Sequence, residues 1–145
     1  MNGVDSKEHV SEYRKKIDVV DMNKINSSLT LKNYVIFYSM ISGTYSNETV
    51  NILTALLIQN NMIDMIDTPI NELNNLDKII ARCLGSYMRH VSCLVGKSLL
   101  DELTQIQKDI FYTFLQQYFS KNHCLCLLFD SKQHKEFAFH SIIIS

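Results

Sequence analysis

The longest amphipathic run constrains this chain most. Between Leu76 and Val95, the residues Leu76, Ile79, Ile80, Cys83, Leu84, Tyr87, Val91, Leu94 and Val95 recur mostly at spacings of three and four. That period gathers them on one broad helical face. Asp67-Thr68-Pro69 supplies start chemistry, because proline suits the first helical turn and Asp or Thr can cap before it. Gly96 supplies a stop. A second run, from Ser98 to Ser120, carries Leu99, Leu103, Ile106, Ile110 and Phe114, flanked by Phe111, Leu115 and Tyr118. Its polar face holds Asp101, Glu102, Gln105, Lys108, Asp109, Gln116 and Gln117. Two such helices joined by a short break predict a helical hairpin at the centre of a bundle.

The remaining segments are shorter. Ser6 to Val20 reads as a helix with Val10, Tyr13, Ile17 and Val20 on one side. Leu29 to Ile41 is apolar nearly all round, and its length favours a buried helix over a strand. Asn47 can cap a helix over Val50 to Ile58, and Met62 to Ile66 adds a turn. Cys124 to Phe129 either continues the preceding helix or pairs with the β-branched and aromatic run Phe137 to Ile144 as a hairpin. The expected fold class is all-α: one helical domain over residues 1–145, with residues 130–145 as a separate tail.

Composition narrows the function classes. The chain has 145 residues, 46% hydrophobic and 20% charged, with a formal net charge of −1. A balanced charge gives no electrostatic footprint for nucleic acid and no polybasic patch for an anionic membrane. No apolar run approaches the ~20 residues that span a bilayer. The polar start, Met1 to Lys16, does not read as a secretory leader. Cys83, Cys93, Cys124 and Cys126 are therefore expected as free thiols in a reducing compartment.

The chemical motifs are weak. Val95-Gly96-Lys97-Ser98 matches the end of a phosphate-binding loop, but that motif needs a glycine where Val91 stands, and it should follow a strand. His123, Cys124, Cys126 and His134 lack the paired spacing of structural zinc sites. Cys83 or Cys93 with His90 could form a thiol–imidazole pair, yet both cysteines border the apolar stripe, where a thiol behaves as a small hydrophobe. Asp64 and Asp67 suit a helix start better than paired-acid catalysis. The expectation is no enzyme, no catalytic residue, no cofactor and no metal. The surplus of Met, Ile and Leu between Leu29 and Ile66 points instead to a protein-binding surface.

The segment order resembles the poxvirus Bcl-2-like proteins, small virulence factors of the vaccinia type. The resemblance rests on Ile63-Asp64-Met65-Ile66-Asp67-Thr68-Pro69-Ile70-Asn71, on Asp77-Lys78-Ile79-Ile80-Ala81, and on the aromatic stretch Ile110 to Phe119. The cellular Asn-Trp-Gly-Arg signature is absent; the chain reads Ala81-Arg82-Cys83-Leu84-Gly85 there. The resemblance implies a virus-encoded antagonist of host innate signalling towards NF-κB or interferon, or of apoptosis, in the host cytoplasm. Its partners would be host signalling or pro-apoptotic proteins. Met40, Leu56, Ile63 and Tyr87 would line a helix-binding groove, and Tyr13 and Phe119 a homodimer face. Two alternatives remain: sequestration of pro-apoptotic helices in that groove, and a generic helical interaction subunit of other origin.

Overall fold

The computed structural model describes residues 17–119, 121, 123–129 and 140–143. The chain is α/β. Strand β1 (Ile17–Asp21) leads through a 3-10 turn (Met22–Lys24) to helices α1 (Leu31–Ile41), α2 (Thr49–Gln59) and α3 (Asn75–Met88). Strand β2 (Cys93–Lys97), helix α4 (Gln105–Tyr118), and strands β3 (Leu125–Phe129) and β4 (His140–Ile143) follow. The strands form one sheet in the order β1-β2-β3-β4. β1 is parallel to β2, with Ile17 opposite Cys93, and β2 is parallel to β3, with Cys93 opposite Leu125. β4 runs antiparallel to β3, pairing Leu125 with Ile143.

The all-α expectation is thus overturned: the chain contains a four-stranded sheet. The central hairpin fails at a definable point. Helix α3 stops at Met88, and His90 takes a left-handed conformation at φ 57°. Glycine normally announces such a helix-ending residue; histidine gives no such signal. The residues beyond, Val91, Leu94 and Val95, continue the helical spacing by coincidence, while Cys93–Lys97 is a five-residue strand. Short apolar runs are ambiguous between helix and strand by periodicity alone. Gly96 lies inside that strand and ends no helix.

Helix starts also shift. Pro69 precedes a 3-10 turn (Ile70–Glu72), and α3 begins later, where the Asn74 side chain accepts from the Asp77 amide at 2.8 Å. Helix α4 begins at Gln105, seven residues after the expected Ser98. Thr104 and Gln107 close a reciprocal capping box there, a T-x-x-Q pattern plainly present in the sequence. Helices α1 and α2 and the turn at Ile63–Met65 lie where the apolar pattern puts them. The hairpin reading of Cys124 to Phe129 with the C-terminal run holds as β3–β4. Of the helix expected over Ser6 to Val20, Ile17–Val20 is strand and the rest lies outside the described residues.

The strands alternate cleanly. Asp18, Val20, Leu94, Gly96, Cys126 and Leu128 are buried on one face, whereas Ile17 and Val19 on the other are about half exposed, at 47% and 52%. With this strand order, the right-handed crossover rule puts α3 and α4 on the same face of the sheet. Buried apolar residues from all the helices and strands β1–β3 form one continuous cluster. Gly96 permits the closest approach within it. A Cβ there would meet Leu99 Cδ1 at 2.5 Å and Leu128 Cδ2 at 2.9 Å. Gly96→Val is expected to destabilise the fold by about 1–3 kcal/mol through overpacking. A lower urea midpoint with an unchanged slope will show it.

Candidate functional site

The polar centre of the molecule is a buried charge network on the sheet's covered face. Asp18 of β1 receives a bidentate pair from Arg82 of α3, with Nη1 to Oδ2 at 2.8 Å and Nη2 to Oδ1 at 2.9 Å. The Ser86 hydroxyl, one turn further along α3, donates to Asp18 Oδ2. Arg89 adds a longer contact, Nη1 to Oδ1 at 3.4 Å. The Arg82 guanidinium also sits over the Tyr38 ring of α1, 4.3 Å from its centroid, which adds a cation–π attraction. Burial works against the Asp18 carboxylate, but the bonds and charge of Arg82, with Ser86 and Arg89, outweigh it and hold its pKa below 3.8. Burial likewise opposes the Arg82 charge, and Asp18 reverses the balance and keeps it protonated.

A cavity of about 230 Å³ opens beside this network, at the carboxyl ends of β1 and β2. It is lined by Val19, Asp21, Lys24, Ile25, Tyr38, Arg82 and Lys97. The parallel strands β1 and β2 end together here, with Asp21 opposite Lys97. Asp21 is occupied in part as the cap of the 3-10 turn, accepting from the Asn23 amide at 3.0 Å. Asp21 and Lys97 are partners in register. Among the described residues, Lys24 and Lys97 form no ion pair.

The sequence-derived candidates scatter. Met40 is exposed on α1 at 61%. Leu56 is a core residue of α2, Ile63 is half-buried in a 3-10 turn, and Tyr87 packs edge-on against Tyr118 and Phe119. These four lie on separate elements and at different depths. Phe119 is buried at 2% exposure, so its ring is held in the core and is not presented on an outer face. Tyr13 lies outside the described residues. The thiols of Cys83, Cys93, Cys124 and Cys126 approach one another from α3, β2 and the start of β3, and all are free. Burial pushes the Cys83 thiol up to about 12, which makes it a poor nucleophile. Among the described residues, no group of three His, Cys, Asp or Glu side chains is placed to hold a metal.

Sequence reasoning missed Asp18, Arg82 and Lys24 altogether. Arg82 had a signal: an arginine between Ile79, Ile80, Cys83 and Leu84 on an apolar stripe calls for a buried partner. Lys97 stands in the Gly96-Lys97-Ser98 pattern, and the strand that such a pattern should follow is β2.

No family model and no curated protein sequence matches this chain. Solved structures do. CbiO1 from Clostridium perfringens, described as part of the ABC transporter complex cbiONQ, matches with a TM-score of 0.69 at 13% sequence identity. The α/β fold described above is similar to that of part of CbiO1. The match covers 87% of this chain and 51% of the CbiO1 chain, so this chain spans about half of that protein. At this identity the likeness speaks for the fold alone. It overturns the poxvirus Bcl-2-like assignment, whose all-helical architecture has no parallel sheet. The viral role in innate signalling or apoptosis rested on that assignment and falls with it.

The network predicts acid sensitivity. Asp18→Ala leaves Arg82 buried without its partner and is expected to cost about 3–5 kcal/mol. Because the folded pKa of Asp18 lies below 3.8, its contribution is fully present above that pH and fades as pH falls through the lowered value. Chemical denaturation at neutral pH and below pH 4 should show the gap between Asp18→Asn and the parent chain shrinking on acidification. A constant gap would contradict the charge-based account.

Proposed function

We propose that this chain is a subunit of an ABC-type transporter assembly that acts by binding its partner proteins and does not itself hydrolyse ATP. The observation that carries the reading is an exposed apolar strip on α1. Phe37, Met40 and Ile41 are 50%, 61% and 60% exposed, and Tyr45 just beyond the helix is 47% exposed. Positions i, i+3 and i+4 share one helical face, and an apolar strip of this kind marks a protein contact. The likeness to a subunit of a transporter complex supports a partner of the same class.

Three features weigh against hydrolysis. P-loop ATPases grip the β- and γ-phosphates with a glycine-rich loop and its lysine, which requires the pattern G-x-x-x-x-G-K-[ST]. Gly96-Lys97-Ser98 stands at the end of β2, but Val91 occupies the first glycine position. The amide of Ser98 is already spent on the Phe129 carbonyl at 2.8 Å, and α4 begins only at Gln105. Among the described residues, no helix is long and apolar enough to cross a membrane. Attachment to a membrane assembly would therefore run through protein contacts of these described elements.

Met40→Glu combined with Ile41→Glu tests the reading, since both side chains are exposed and the fold should tolerate the change within about 0.5 kcal/mol. In the source cells, the parent chain should sediment with the membrane fraction and crosslink to a membrane protein from position 37. The double variant should move to the soluble fraction with its circular dichroism unchanged. Equal distribution of the two forms, or ATP turnover by the purified chain that is lost on Lys97→Gln, would overturn the proposal.

A further inference from the structure

The cavity at the carboxyl ends of β1 and β2 is an anion site, and we infer that it takes a small phosphate-bearing ligand without a metal ion. The inference stands apart from the partner-binding role above, because it rests on a different part of the surface.

Positive charge exceeds negative around the cavity. Arg82, Arg89, Lys24 and Lys97 stand in or behind its wall, against the carboxylates of Asp18 and Asp21. Asp18 is shared between two arginines, so the buried network carries positive charge in excess. Asp21 turns part of its acceptor capacity to the Asn23 amide. The two lysines are the groups left to meet a ligand. They approach from different elements: Lys24 from the 3-10 turn after β1, and Lys97 from the last position of β2. The floor fixes the cavity's shape, because Tyr38 is packed on the Arg82 guanidinium and Arg82 is held by three hydrogen-bond acceptors, Asp18, Ser86 and the Val19 carbonyl. A rigid, positively biased concavity with two ammonium donors suits an anion with oxygens on more than one side.

The mode of grip differs from a glycine-rich loop. No row of free backbone amides opens onto the cavity from Ser98, whose N–H is engaged. Side-chain ammonium groups must supply the hydrogen bonds. The sole carboxylate lining the cavity is Asp21, which leaves little to coordinate a hard cation such as Mg²⁺, since that ion favours carboxylates and water. The ligand is therefore bound as the free anion.

Calorimetric titration of the full chain with sodium pyrophosphate, in low salt with a chelator present, tests this. Saturable binding at one site per chain is expected, weakening as salt rises. Lys24→Gln and Lys97→Gln should each weaken it by on the order of tenfold, the scale of one charge-assisted hydrogen bond. Lys121→Gln, an exposed lysine outside the cavity lining, should leave it unchanged. Amide shifts in a nuclear magnetic resonance titration should centre on Asp21, Lys24 and Lys97. Absence of saturable binding, binding kept by the Lys24→Gln/Lys97→Gln double variant, or binding that appears only with Mg²⁺ would each overturn the inference.

Discussion

The buried pair of Asp18 and Arg82 is the contact on which the arrangement of this protein turns. Moving a carboxylate and a guanidinium out of water costs several kcal/mol per ion. The cost is met because Arg82 offers two parallel N–H donors, Ser86 supplies a third, and Tyr38 covers the guanidinium plane. The pair spans 64 residues of sequence. It clamps the first described strand to the third helix, so β1 cannot slip in register without stranding a charge in the core. A one-residue slip would turn Asp18 to the other face and bring Ile17 or Val19 inward.

From that clamp the rest follows. With β1 fixed beside β2, helices α1, α2 and α3 form the crossover between two parallel strands. Backbone bonds from Leu31 to Thr68, Lys32 to Ile66 and Ile70 to Leu29 stitch the loop after α2 to the start of α1. At the far side, Tyr118 of α4 joins the end of α2 through Gln59 and Asn60, each at 2.9 Å. Parallel strands open their carboxyl ends together, and this places Asp21 and Lys97 side by side at the rim of the cavity that Arg82 also lines. The candidate anion site is thus a by-product of the same topology that buries the ion pair, while the apolar strip of α1 faces away from the core.

Much of the helical structure was legible in the sequence. The apolar patterns of α1 and α2 have the right length, and the stripe of α3 is correct from Leu76 to Leu84. The errors lie at boundaries. Asn74 with Asp77 and Thr104 with Gln107 are capping patterns that mark the true starts of α3 and α4, but Pro69 and Ser98 drew attention from them. The site was less legible. Lys24 and Lys97 lie 73 positions apart and meet only through strand pairing. The resemblance implied a groove position for Leu56 and a dimer face for Phe119, yet packing buries both.

By itself the sequence determined the local preferences: which segments are apolar, where helices can be capped, and that no glycine-rich phosphate loop is present. It also determined the even charge balance of the chain. Only the tertiary structure decided that Cys93–Lys97 and Leu125–Phe129 are strands. A five-residue apolar run satisfies helix and strand periods alike, and its backbone donors and acceptors choose between them by what lies alongside. Here β1 and β3 flank β2 on both edges, so the ladder hydrogen bonds available to Cys93–Lys97 come from partners distant in sequence. No local pattern can report partners that arrive only when the chain has folded.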